Sequence, residues 1–247
     1  MHHTLCNFVA LANVADTNVP PIQDGIMAIA NNHWLPQRDY DLIYAATMAV
    51  TLDRTRLVSP TNRQITIPFV RPTIAALSPP TDPNVADYRK NPFRLRALEE
   101  FAFESTDTAA GPNNHYVVSG LQTAFEPMPV GNVFTLRGTS TTAAVAATWT
   151  QITVTWADIL PAGTYAIVGL DVVSATPVAA RLILENQIER PGAIGNALVG
   201  SRNHEMFYKG GLGVWGRFKS TRMPIVEIVN DGVIAVHTVY LDMIRVA

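Results

Sequence analysis

The sequence predicts an all-β protein in two successive halves. Three observations predict it: runs rich in Val, Ile, Thr and aromatic residues recur along the chain, Gly, Pro, Asn and Asp punctuate them, and no strand–helix–strand alternation is present. At 247 residues the chain is long enough for two compact domains of roughly 110–120 residues each.

Taken in order, Leu5 to Ala15 and Ile22 to Ala30 each read as a short helix. Asp39 to Leu57 reads two ways, because Ala45, Ala46, Met48 and Ala49 favour a helix while Val50, Thr51 and Leu52 favour a strand. Gln64 to Val70 reads as a strand ended by Arg71-Pro72. Phe101-Ala102-Phe103 and Tyr116-Val117-Val118 read as strands around the loop Ala110 to Asn114. The Pro-rich stretch Pro79 to Pro83 is a long internal loop, and Glu126-Pro127-Met128-Pro129 separates the halves. The expected organisation is an N-terminal arm over 1–20, a first domain over 21–127 and a second over 128–247.

The second half is the more regular. Asn132 to Arg137 and Thr139 to Thr150 supply one or two strands. Gln151 to Trp156 alternates polar and apolar without a break, which places Ile152, Val154 and Trp156 on one face of a single strand. Tyr165 to Val173 and Ala179 to Leu184 are two more, with Pro177 interrupting. At the end, Pro224 to Val229 and Val233 to Val246 flank Asn230-Asp231-Gly232, residues that tolerate the positive φ of a tight turn, so the two runs are expected to pair as a hairpin.

Composition narrows the function. Charged residues make up only 15% of the chain, well below the roughly 25% usual for soluble proteins, which leaves little charge to cover a monomer and points to extensive protein–protein contact. Eighteen basic residues stand against twenty acidic ones without like-charge runs, which excludes a basic nucleic-acid arm or a polybasic membrane patch. Cys6 is the single cysteine, so neither an intramolecular disulfide nor a thiolate metal cluster can form within one chain. No apolar run is long enough for a membrane span, and the first residues do not form a signal peptide; synthesis in a cytoplasm is expected.

The motifs with chemical meaning fail in context. Gly211-Leu212-Gly213-Val214-Trp215-Gly216 has dinucleotide-loop spacing, yet no helical run follows, so it reads as an inter-strand loop. Gly195 to Arg202 has phosphate-loop glycines without the required Lys and Ser/Thr. His33, His115, His204 and His237 each lack a His or Cys neighbour at metal-ligand spacing, and no G-x-S-x-G nucleophile elbow occurs. The pairs Asp39/Asp41 and Glu99/Glu100 read as solvated edge features. No catalytic residue, metal ligand or cofactor site is assigned. Trp34 and Trp215 are left as surface or interface candidates, and Arg54, Arg56, Arg63 and Arg71 as candidates for inter-subunit pairing, since arginine's planar fork suits interfaces.

Two β-rich halves joined at Pro127-Met128-Pro129, low charge and the closing run Thr238 to Val246 together resemble the double jelly-roll major capsid proteins of tailless icosahedral viruses, most of all those of membrane-containing bacterial viruses. The resemblance implies two jelly-roll sandwiches in tandem, with a few short helices in the first half. It also implies a non-enzymatic coat subunit that forms a pseudo-hexameric homotrimer and then a shell. Expected partners are further copies, other virion proteins and an internal membrane reached by the arm, without sequence-specific nucleic-acid binding; the expected location is the virion. A single jelly roll with an irregular N-terminal extension stays open. Rival readings are a spike or minor coat protein, a carbohydrate- or ligand-binding sandwich using Trp34 or Trp215, and a sandwich-fold hydrolase using His115 or His204.

Overall fold

A computed structural model describes residues 2–11, 15–49, 52–59, 69–70, 72–73, 85–107, 113–196 and 203–247. The chain divides into an N-terminal unit, Leu5–Thr123, and a C-terminal unit formed by Ala124–Ala247 together with Met1–Thr4. Both are all-β.

The N-terminal unit holds β1 (His2–Leu11, from Leu5 onward), β2 (Thr17–Val19), β3 (Ala28–Ala30), β4 (His33–Leu35), β5 (Tyr40–Met48), β6 (Leu52–Val58), β7 (Phe69–Val70), β8 (Pro72–Thr73), β9 (Ala86–Asp87), β10 (Phe93–Leu95), β11 (Ala102–Asp107) and β12 (Asn113–Gln122). One sheet runs β1-β12-β5-β10, with β8 and β9 also pairing β5, and the other runs β2-β11-β6-β7; β3 and β4 form a separate hairpin. Its core joins Leu42, Ala45, Val117 and Leu121 from the first sheet to Leu57 and Phe103 from the second.

The C-terminal unit holds β13 (Phe134–Ser140), β14 (Thr150–Ile152), β15 (Thr155–Trp156), β16 (Thr164–Val173), β17 (Pro177–Ile183), β18 (Gly192–Ile194), β19 (Gly216–Lys219), β20 (Ile225–Asn230) and β21 (His237–Arg245). Its sheets run β15-β13-β21-β16-β19 and β14-β20-β17-β18. Ile167, Leu170, Leu241 and Met243 from one, and Leu182, Val226 and Ile228 from the other, are almost wholly withdrawn from solvent.

The two units share one order of connection. If the hairpin β3/β4, the edge strands β8 and β9, and the short β15 are set aside, each unit has eight strands. Numbered one to eight within their unit, they form a 1-8-3-6 sheet and a 2-7-4-5 sheet both times.

Several expectations change. The described residues of the first half contain no helix; those of Leu5 to Ala15 fall largely in β1, Ile22 to Ala30 is irregular until β3 begins at Ala28, and Asp39 to Leu57 resolves into β5 and β6. Alanine's helix preference is overridden because Ala45 and Ala46 lie between β12 on one side and β9 and β10 along the other edge, where a small residue suits a sheet buried on both faces. Within the expected arm over 1–20, His2–Leu11 is a sheet strand. The alternating run 151–156 is two strands, since β14 pairs β20 while β15 pairs β13 in the other sheet. The C-terminal hairpin does not form: β20 lies between β14 and β17, and β21 between β13 and β16. Gly232 is absent from the positive-φ residues, and Ile234 exchanges backbone hydrogen bonds with Ala144, so the segment crosses between sheets and does not reverse within one. The strand expected over 64–70 is described only at Phe69–Val70, and of the motif 195–202 only Gly195 and Asn196 are described.

Candidate functional site

The residues expected at an interface separate into two groups. Trp34 and Trp215 are fully buried, which corrects the expectation of surface tryptophans. In the N-terminal unit the Trp34 indole donates to Asn7 Oδ1 at 2.9 Å, and Asn7 Nδ2 donates to the Val19 carbonyl at 2.8 Å, so the ring's polar edge is satisfied inside the core. In the C-terminal unit the Trp215 ring meets the His2 imidazole edge-on at 4.6 Å between centroids, and its carbonyl accepts from Gln187 Nε2 at 3.0 Å. Large rings that bury this completely act as core, not as a stacking platform.

Arg54 and Arg56 are brought together on β6, facing carboxylates of their own unit. Arg54 holds Asp16 in a two-pronged contact at 3.1 and 3.0 Å, and Arg56 bridges Asp16 at 3.1 Å and Glu104 at 2.6 Å. Thr106 donates to Asp16 at 2.6 Å; that bond, with Arg54 and Arg56, holds the Asp16 carboxyl below the ordinary aspartate range. Arg63 and Arg71 lie outside the described residues. Asp39 and Asp41 both accept from Arg94, each at 3.0 Å, as an exposed edge network.

The histidines named as hydrolase candidates have structural neighbours. His115 and Asp107 form a fully buried pair in the N-terminal unit at 3.2 Å, with Asn113 donating to the same Asp107 oxygen at 2.9 Å. His204 Nδ1 accepts the Met206 N–H at 3.3 Å and so caps a 3₁₀ turn over Glu205–Phe207. Among the described residues no group of three His, Cys, Asp or Glu side chains is placed to hold a metal ion.

Other buried charge lies in the C-terminal unit. Arg181 on β17 stands directly opposite Glu227 on β20 and donates to it at 2.7 Å; Arg190 adds a second bond to the same oxygen at 3.0 Å. The Arg181 guanidinium lies 3.9 Å from the centroid of the Trp149 ring, which shields the pair from water. Asp171 on β16 is partly buried beside Asn196, Asn203 and Asp242, and burial pushes its carboxyl up to about 6. Residues 2–4 meet the start of β18 and the residue two before it: the Gly192 N–H donates to His2 Nε2 at 3.2 Å, the Arg190 N–H to His3 Nδ1 at 2.9 Å, and the Thr4 N–H to the Arg190 carbonyl at 2.9 Å. Burial lowers His2 to about 3, so the imidazole is neutral and can accept.

The feature missed in the sequence is an uneven distribution of exposed apolar side chains. Of the twelve large hydrophobic residues exposed among those described, eleven belong to the C-terminal unit, and Leu98 alone to the other. They include Phe125, Phe134, Ile159, Val233 and Val236. Surface apolar residues scattered singly need no explanation, whereas a concentration on one part of a molecule marks a surface of interaction. The available signal was Ala157-Asp158-Ile159-Leu160-Pro161, where two large aliphatic residues sit inside a segment bounded by turn formers.

No family model matches the chain, and no curated protein matches it. Among solved structures it is similar to the crystal structure of the major capsid protein P2 from Bacteriophage PM2, at 12% identity over 100% of this chain and 98% of that one, with a TM-score of 0.26.

Proposed function

We propose that the chain is a non-enzymatic coat subunit of a virion, built of two jelly rolls in tandem, which forms pseudo-hexameric trimers that assemble into an icosahedral shell. The observation that carries this reading is the repeated strand order: a 1-8-3-6 sheet facing a 2-7-4-5 sheet, in each of two successive units. That order is what winding an eight-stranded ribbon into two Greek keys produces, and it characterises jelly rolls of capsid and lectin domains. Two copies of it in one chain supply six such modules per trimer, the number a hexagonal tile requires.

Low charge and the eleven exposed apolar residues of the C-terminal unit support the same role. Each subunit contact can then be modest, because closed symmetry repeats it and a shell multiplies it. The sugar-platform alternative required an exposed Trp34 or Trp215, and both lie in a core.

Light scattering coupled to size exclusion, across a concentration series, tests the proposal. A stable trimer or megadalton particles, seen as hexagonal tiles by electron microscopy, are expected. A persistent monomer at every concentration would overturn it.

A further inference from the structure

In the C-terminal unit an apolar groove lies open between the β13–β21–β16 sheet and the loop before β16. Phe134 and Leu136 on β13, Met243 on β21 and Leu160 in the loop before β16 line a cleft of about 320 Å³. Phe134 stands opposite Met243 in the β13–β21 ladder and is 51% exposed, so the cleft is an accessible apolar groove and not a sealed void. Ile159 of the same loop lines the groove too and is 98% exposed, a branched aliphatic knob carried on the groove's own wall.

The charges around the groove are also matched and unused. Asp158 precedes the knob, and Arg245 belongs to the groove wall. The Arg245 guanidinium donates to the Ala162 carbonyl at 2.8 Å, and neither it nor Asp158 has an ion-pair partner among the described residues. Elsewhere arginines such as Arg54, Arg56, Arg94, Arg217 and Arg222 are paired with carboxylates of their own unit. Two opposite charges lining one groove without pairing are complementary to a second surface bearing the same two charges, and the surface that bears them is this one.

We infer that the groove formed by Phe134, Leu160 and Met243 receives Ile159 from a second copy of this chain, with Asp158 of one copy meeting Arg245 of the other. The contact rests on the coat reading and names the surface through which copies join. Knob, groove and both charges line one patch of a copy, so the contact is isologous: the same patch on two copies, each Ile159 entering the other's groove about a two-fold, which joins copies in pairs and so links trimers to one another. Burial of the knob supplies the attraction, and the charge pair sets register and steers encounter.

The test uses the full chain with Ile159→Ser, Asp158→Arg, Arg245→Asp and the double reversal Asp158→Arg/Arg245→Asp, each checked for a wild-type circular dichroism spectrum. Sedimentation velocity over a concentration series reads the association. Each single variant is expected to raise the concentration for half-association at least tenfold. The double reversal should restore self-association but fail to co-assemble with labelled wild type. Asp158 is in an exposed loop, so its variant keeps the test informative if Arg245→Asp does not fold. Wild-type assembly that none of the single variants weakens would overturn the contact while leaving the coat reading standing, and the groove would then belong to another occupant. A wild type that stays monomeric would remove both.

Discussion

Asp171 and His2 make the stability of the C-terminal unit depend on pH in opposite directions. Asp171 titrates near 3.8 unfolded and at about 6 folded, so between these values the folded chain binds more proton, and stability falls as pH rises. His2 titrates near 6.5 unfolded and at about 3 folded, so the unfolded chain binds more proton there, and stability falls as pH drops. Between about pH 4 and pH 6 the two slopes oppose one another. Asp171→Asn removes one of them, and its unfolding free energy should rise more steeply with pH than wild type, by on the order of 1–2 kcal/mol across the interval after allowing for partial exposure. Urea melts at a series of pH values measure this, and parallel curves for the two proteins would contradict it. Neither shift was legible in the sequence, because Asp171 is enclosed by Asn196 and Asn203 and His2 by Gly192 and Trp215, all distant along the chain. The same holds for Trp34, whose donor is satisfied by Asn7; composition shows a polar aromatic but not the partner that lets it be buried.

Pairs of strands set a different kind of constraint. Gly120 on β12 stands opposite Tyr44 on β5, and the phenol ring lies over the glycine, so an added Cβ would overlap it. Gly120→Ala should destabilise by about 1–3 kcal/mol in chemical unfolding, the usual cost of overpacking. In a Tyr44→Ala background the same change should cost almost nothing, and equal effects in both backgrounds would show that the ring is not the cause. Element existence was legible where period-two alternation or β-branched runs were long, as for β12, β16 and β17. Pairing was not: Asn230-Asp231-Gly232 has the chemistry of a hairpin turn, but β20 and β21 each gain two flanking partners by entering different sheets. Local turn preference is worth little against two complete ladders.

For the molecule as a whole, the uneven exposed apolar surface predicts where assembly gives protection. Hydrogen exchange compared between unassembled and assembled protein should show the larger loss of exchange in the C-terminal unit, around residues 125–134, 157–161 and 233–236. Protection confined to the N-terminal unit would contradict that assignment. Two β-rich halves were legible from turn spacing and composition, whereas the matched strand order required knowing which runs share a sheet. One consequence concerns synthesis. His2 caps the Gly192 N–H at the start of β18 from 190 positions away, and His3 caps the N–H of Arg190 just before the strand. At roughly 5–20 residues per second, the ribosome makes the imidazoles on the order of 10–40 s before the N–H groups they cap. Residues 2–4, which belong to the C-terminal unit, therefore stay unplaced while the N-terminal unit emerges, and the Gly192 N–H of β18 is open to a neighbouring nascent chain until His2 reaches it.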